Sequence, residues 1–373
     1  VPRPAPMIRI VITLIAIVVV AACTPPEPVQ TSPSAPPTHV YGGRVATTPS
    51  GLVLDGKPWW PSGFNAYQLG TDWSSNLGCG AEVDLDRYFD QVPRGSLTRF
   101  NLFSSLATSR ETGRLDFSRF DAVFAAATRH DRMVLPVLTG SNGACEDERY
   151  KDRSWYVDGW KRDEGPAGLT FERWMMIAVQ RWGGERSLAG WEIVGEPEVG
   201  VCGAAGCDWR HRTCPAGAAA VLRTFFDTIG TELTAIDARH PIFAGTTGGD
   251  QCGIAGGDML TVGASPHIDI LDFHDYRDAE GVPPADSSLP ARLAQAHELG
   301  KPLIVNELGI KAGSCLSLPA RAASFRSRID ANRAAGAAGT LLWAFVPDPR
   351  PGECTYDIGF DDPAWAVVAE VVD

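Results

Sequence analysis

The chain has 373 residues, of which 44% are hydrophobic and 21% charged, and a formal net charge of −12. This is ordinary globular composition, enough for one large domain or two smaller ones. With no lysine-rich run and no basic stripe, the acidic balance argues against nucleic acid as a partner.

In chain order, the first feature is an apolar run from Ile10 to Ala22, broken by Thr13 and preceded by Arg3 and Arg9. It is too short to span a bilayer stably but has the length of a signal-peptide core. The run ends in Val20-Ala21-Ala22-Cys23, which resembles the lipobox of bacterial lipoproteins. Residues 1–22 are therefore predicted to be a lipoprotein signal peptide and Cys23 to carry the lipid. An ordinary secretory signal with Cys23 incidental is the alternative. Residues 23–40, rich in Pro, Ser and Thr, read as an extended tether for a domain spanning 41–373. The expected location is outside the cell, either anchored on the outer face of a bacterial cytoplasmic membrane or secreted.

Setting Cys23 aside leaves Cys79, Cys145, Cys202, Cys207, Cys214, Cys252, Cys315 and Cys354. An even set in an exported chain predicts disulfides. Cys202, Cys207, His211 and Cys214 cluster closely enough to raise a zinc site, but the paired Cys-x-x-Cys knuckles of such sites are missing. Connectivity stays open on sequence alone. Cys315 with Cys354 is the pair to look for, since both fall on loops near the last two strands.

From Val40 onward, apolar runs alternate with amphipathic segments, the signature of strands alternating with helices. A hairpin at Gly51–Pro58 leads into a first strand at Trp59–Asn65, and a second follows at Leu97–Phe103. Phe120, Val123, Phe124 and Ala127 then mark a helix at i, i+3, i+4, i+7 spacing. Strand three is Met133–Leu138, followed by a long loop and a helix through Phe171, Trp174, Met175, Ala178 and Trp182. Strand four, Gly190–Glu196, stops at Pro197, which has no N–H for a ladder. Later strands are predicted at Pro241–Ala244, Ile268–Phe273, Leu303–Val305 and Thr340–Phe345, with a last amphipathic segment, Pro363–Val372, to close the base. Eight strands with helices between them make a (β/α)8 TIM barrel of the α/β class, here one catalytic domain, expected as a monomer. A doubly wound sheet would carry a glycine-rich phosphate turn after its first strand, and none is present.

Carboxylates at the C-terminal tips of barrel strands sit where such barrels place their chemistry. Glu196 ends strand four and Glu307 follows strand seven, so the two face each other across the barrel mouth. Two carboxyl groups can protonate a glycosidic oxygen and stabilise the oxocarbenium ion that forms. Arg99 and Asn101 share parity on strand two, and His274 and Tyr276 share it at the tip of strand six. Trp343, near the end of strand eight, offers a flat apolar face for a sugar. Each has a plainer reading. A lone strand-end glutamate is more often solvated, Arg99 can bridge inside a barrel, and His274 and Trp343 can be core. Glu192 and Glu198 read as structural or solvent-facing. Five strand tips carrying compatible groups in order favour a site.

Taken together, Arg99, Trp191-Glu192-x-x-Gly195-Glu196-Pro197, His274-x-Tyr276, Lys301-Pro302 leading to Glu307-Leu308-Gly309, and Trp343 resemble a glycoside hydrolase of clan A, in the family 5 cellulase and β-mannanase neighbourhood. The resemblance covers roughly residues 45–370. It implies a retaining hydrolase of β-linked polysaccharide or oligosaccharide, of β-mannan or β-glucan type, with Glu196 as acid/base and Glu307 as nucleophile. Arg99 and Tyr276 would hold Glu307 ionised, His274 would bond near the acid, and Trp343 would floor the subsite at the cleavage point. A carbohydrate substrate is implied, with no cofactor and no metal.

One residue departs from the pattern. Gly195 stands where the family carries an Asn that bonds the sugar 2-hydroxyl, so Asn101 or Asn65 would have to supply that donor, or the substrate differs. A non-catalytic or weakly active glycan-binding lipoprotein on the same scaffold is the alternative. A metal-dependent hydrolase ranks below both, because no strand-end His-x-His pair is present. Arg99 beside Glu307 is expected to lower the Glu307 pKa, and the charge of Glu307 to raise that of Glu196.

Overall fold

Residues 39–40, 42–71, 79–208, 211–276 and 283–372 are described by a computed structural model. Cys23, the signal segment and the tether up to residue 38 lie outside the described residues.

A parallel sheet covered by helices buries both of its faces, and the predicted strands are apolar enough for that. The strands β1 (Ser62–Asn65), β2 (Leu97–Asn101), β3 (Met133–Val137), β4 (Trp191–Glu192), β5 (Ile242–Phe243), β6 (Leu271–Asp275), β7 (Leu303–Gly309) and β8 (Thr340–Trp343) pair in the order β6-β7-β8-β1-β2-β3-β4-β5. A parallel bridge between Phe243 and Ile270 joins the two ends, so the sheet curls into the barrel expected from the sequence. Each strand is followed by a helix: α1 (Leu85–Gln91), α2 (Ser118–Arg129), α3 (Phe171–Trp182), α4 (Ala218–Ile236), α5 (Asp258–Gly263), α6 (Leu289–Leu299), α7 (Leu318–Ala335) and α8 (Ala364–Val372).

Local chemistry sets the helix ends. Asp84, Thr170 and Ser317 accept hydrogen bonds from the backbone N–H groups of Arg87, Arg173 and Ala320, capping α1, α3 and α7. Gly300 and Gly336 end α6 and α7 with positive φ. The buried residues of α2 and α3 include every apolar position that their spacing picked out.

Strand alternation then sorts the core. Leu97, Leu135, Phe243, Ile270, Ile304 and Leu341 pack inside the lower barrel, while Phe100, Val134, Trp191, Leu271 and Leu342 pack under the helices. The base is closed differently from the expectation. Val45, Leu52 and Trp59, from the antiparallel strands at Val45–Thr48, Gly51–Leu54 and Lys57–Trp59, join the inner apolar cluster and plug it. Helix α8 is instead an outer helix, with Trp365 against Phe64, Tyr88 and Phe345.

Disulfides tie the loops at the opposite, C-terminal face. Cys79–Cys145 joins the loops after β1 and β3, and Cys214–Cys252 those after β4 and β5. Cys202–Cys207 closes a small turn, and Cys315–Cys354 is the pair sought from sequence. The cysteines of the candidate zinc cluster are thus all paired, as suits an oxidising compartment. Among the described residues, no helix is long and apolar enough to cross a membrane.

Candidate active site

Above the apolar layer, the inward positions of the strands turn polar. Asn65 on β1, Arg99 on β2, Glu192 on β4, Asp272 and His274 on β6, and Asn306 and Glu307 on β7 are all buried. Consecutive residues of a regular strand point to opposite faces, yet Asn306 and Glu307 both bond inward. Register shifts in the pairing of β7 with β6 and with β8 fall at this point, and such an irregularity re-aims a side chain.

Arg99 organises this layer. Its Nε and Nη2 donate to Glu192 Oε2 and Oε1 at 2.7 and 2.5 Å, a two-pronged fork. Its Nη1 donates to Asn65 Oδ1 at 2.8 Å and to Glu307 Oε1 at 2.5 Å. Asn306 Nδ2 donates to Glu192 Oε2 at 3.0 Å. Tyr276 donates its hydroxyl proton to Glu307 Oε2. The expected pairing of Glu307 with Arg99 and Tyr276 is present.

Glu196 is held from its backbone. Its φ is 57°, in the left-handed region that non-glycine residues seldom occupy, and its N–H donates to Gly245 O at 2.9 Å. Gly245, with φ 66°, permits that approach, since a Cβ there would lie 2.1 Å from Val194 O. The Glu196 side chain is 44% exposed and reaches into the open mouth. His274 Nδ1 lies 2.9 Å from Glu196 Oε1 and 3.4 Å from Glu307 Oε2. The nearest polar atoms of Glu196, His274 and Glu307 fall within 4.8 Å of one another. Such a trio can hold a cation in principle, but these residues do not fit one. Arg99 already stands as a fixed cation on one Glu307 oxygen, and Tyr276 donates to the other.

The pKa directions reverse the sequence expectation. Burial is the largest influence on Glu307 and raises it, with the charge of Glu196 adding to the rise; His274 and Arg99 only partly offset this. Burial would also raise Glu196, but the hydrogen bond and charge of His274, with Arg99 and Arg212, bring it below the ordinary value. Burial opposes charging His274, yet Glu307 and Glu196 outweigh it and raise the imidazole. The Glu196 and His274 shifts belong to one interacting pair, joined where Nδ1 and Oε1 approach to 2.9 Å.

The other expected residues fall around this centre. Trp343 is half-buried, stacked on Tyr67 at 5.4 Å, and lines a 300 Å³ cavity with Tyr67, Lys311 and Tyr356. Asn101 is half-buried at the tip of β2. Asn65 is fully committed, because its Nδ2 donates to Asn306 O and Leu342 O. Glu196, His274 and Tyr276 line a 480 Å³ cavity with Thr247 and Gln251. The long segments after β3 and β4 line another, of 660 Å³, through residues such as Glu146, Trp155 and Arg212.

Sequence reasoning missed Glu192, Asp272 and Asn306, and left Glu192 as structural or solvent-facing. It is completely buried and faces the site. The signal was available: a barrel strand has no solvent face, so a charge within one must be paired. Gly195 shares this crowding, since a Cβ there would lie 3.3 Å from both Arg99 Nη2 and Val137 Cγ1.

No protein-family model matches the chain. It is 26% identical over 274 residues to a probable mannan endo-1,4-beta-mannosidase C of Aspergillus terreus, covering 64% of this chain and 66% of that protein. The chain thus spans just under two thirds of that relative. A probable mannan endo-1,4-beta-mannosidase A of Aspergillus flavus is 21% identical, with 76% of each chain covered. Among solved structures, the endo-1,4-beta-mannanase of Rhizomucor miehei has a TM-score of 0.62 at 18% identity, covering 89% of this chain and 97% of that one. The endo-beta-1,4-mannanase of Thermotoga petrophila has a TM-score of 0.62 at 16% identity, covering 85% and 77%. At these identities the structural likeness establishes the (β/α)8 fold.

Proposed function

We propose that this chain is a retaining glycoside hydrolase acting on β-linked polysaccharide or oligosaccharide, with β-mannan the first substrate and β-glucan the second. The observation that carries the reading is the approach of Glu196 and Glu307 within 4.8 Å at the barrel mouth. Retaining enzymes hold their carboxyl groups about 5–5.5 Å apart, whereas inverting ones leave room for a water between them. The mannanase names of the relatives support mannan.

In the first step, Glu307 attacks the anomeric carbon while the proton held between Glu196 and His274 passes to the leaving oxygen. A glycosyl ester forms on Glu307 and the glycosidic bond breaks. Glu196 then takes a proton from water, which attacks the anomeric carbon and releases Glu307. Arg99 and Tyr276 orient Glu307 by donating to its two oxygens. Trp343, with Tyr67 behind it, gives the sugar ring an apolar floor. With Asn65 committed, Asn101 is the amide left to reach the sugar where Gly195 offers none.

The test is a panel of defined β-linked oligosaccharides, read by product mass and by NMR of the first-formed anomer. Hydrolysis of β-mannan oligomers with retained configuration is expected. An inverted product would overturn the double displacement, and binding without turnover would leave the glycan-binding reading. We further propose that residues 1–22 are removed and that Cys23 carries a lipid, with residues 23–40 as the tether; the lipobox resemblance supports this. An acyl mass on the mature N-terminus is the expected finding, and an unmodified cysteine would refute it.

A further inference from the structure

Glu192, like Asp272, is a buried carboxyl group of the barrel layer that the reaction does not use, and its surroundings are those of a working part. It lies four residues before Glu196 in the chain, with no exposed surface. Both its oxygens are taken by the Arg99 fork at 2.5 and 2.7 Å, and Asn306 adds a third hydrogen bond. By contrast, the same guanidinium meets Glu307 through a single nitrogen, Nη1, which it shares with Asn65. Two carboxylates therefore compete for one cation, and Glu192 has the better geometry.

We propose that Glu192 is a positioning residue for the hydrolytic reaction: its fork fixes the direction in which Arg99 addresses Glu307 and limits how much of the guanidinium charge Glu307 receives. The alternative for a buried arginine with one carboxylate partner is a tighter, more symmetric pair with that partner. Here Glu192 anchors the guanidinium from below, so Nη1 alone is left for the mouth. The fork thus limits the cation at a Glu307 that burial already holds above its ordinary value, although Nη1 lies 2.5 Å away. The role in catalysis rests on the hydrolase reading; the electrostatic claim does not.

Other titratable groups face this pair from every side. Arg99 comes from β2, Glu196 from the segment that follows β4, Asp272 and His274 from β6, and Tyr276 from just beyond β6. Asp272 is fully buried, with Oδ2 accepting from Gly245 N–H at 2.6 Å and Oδ1 without a hydrogen-bond partner among the described residues. Burial and the charge of Glu192 push its carboxyl well above the usual range. The balance at Glu307 lies among Arg99, His274, Glu196, Glu192 and Asp272.

The test titrates Glu307 directly, by carboxyl-13C NMR of glutamate-labelled full chain, with the resonance assigned by its loss in Glu307→Gln. Removing the Glu192 charge with Glu192→Gln releases Arg99 toward Glu307. The sign follows: more positive charge at Glu307 favours its ionised form, so its midpoint should move to lower pH, by about one unit. Glu192→Asp keeps the buried charge, and so the pairing the fold needs, but draws it back from the fork. A smaller shift in the same direction is expected there, which keeps the claim open to refutation if Glu192→Gln does not fold. An unmoved Glu307 midpoint in either folded variant overturns the proposal. In the pH–rate profile of kcat/KM, the acid limb should move with the midpoint. A wild-type chain that cleaves no β-linked glycan would defeat the hydrolase reading, while the titration would still decide the claim about Glu192.

Discussion

Glu307→Ala is expected to reduce kcat on β-mannan oligosaccharides by on the order of 10⁴-fold or more, the scale seen when a covalent nucleophile is removed. Among the described residues, the neighbouring glutamates are otherwise engaged: Glu192 is locked in its fork with Arg99, and Glu196 is needed for proton transfer. Folding should survive. Arg99 keeps both prongs of its bond to Glu192 and its bond to Asn65, so no buried cation is stranded. Initial rates at saturating substrate, alongside a thermal melt, check both halves. Residual turnover above about 1% in a folded variant would remove Glu307 from the nucleophile role.

Glu196→Ala is expected to be severely damaging on a natural leaving group but not on every substrate. General acid catalysis contributes about 10²–10⁴-fold, and only when the departing oxygen needs a proton. A dinitrophenyl glycoside has a leaving group acidic enough to depart unprotonated, so its first step should remain fast. The glycosyl ester on Glu307 should then accumulate, because the base that activates water is gone. Added azide, which needs no base, should release it as a glycosyl azide of retained configuration. The alkaline limb of the pH profile should also disappear, since the proton held between Glu196 and His274 no longer exists. Equal losses on both substrates would point to a structural role for Glu196.

These two variants also address the point at which sequence reasoning and geometry parted. Arg99 beside Glu307 read as a simple pair that lowers the pKa of one glutamate and raises that of the other. The barrel instead spreads the guanidinium over two carboxylates and removes water from Glu307, and it places an imidazole 2.9 Å from Glu196. The alkaline limb is thus expected to follow a proton shared with His274 rather than one on Glu196 alone. Pairwise reasoning along the chain could not see this, because desolvation and a third partner are properties of the packed site.

The periodic parts were legible. Short apolar runs gave every barrel strand, and i, i+3, i+4 spacing gave the helices α2 and α3, since a strand covered on both faces is apolar throughout while a helix is buried at fixed intervals. Proline after Glu196 marked a strand tip for the same local reason, and the residues at five tips pointed to the chemistry before any contact was known. What closes the base was not legible: the N-terminal hairpin and α8 are both amphipathic, and only packing assigns the plug to the hairpin. Nor could alternation place both Asn306 and Glu307 inside the barrel, because it allows one of two neighbours and the register shift in β7 admits both. Local sequence sets which residues can face a core, because it fixes period and turn. Which cation a buried carboxylate shares, and with which competitor, is set by distances between strands far apart in the chain, and those exist only once the barrel has closed.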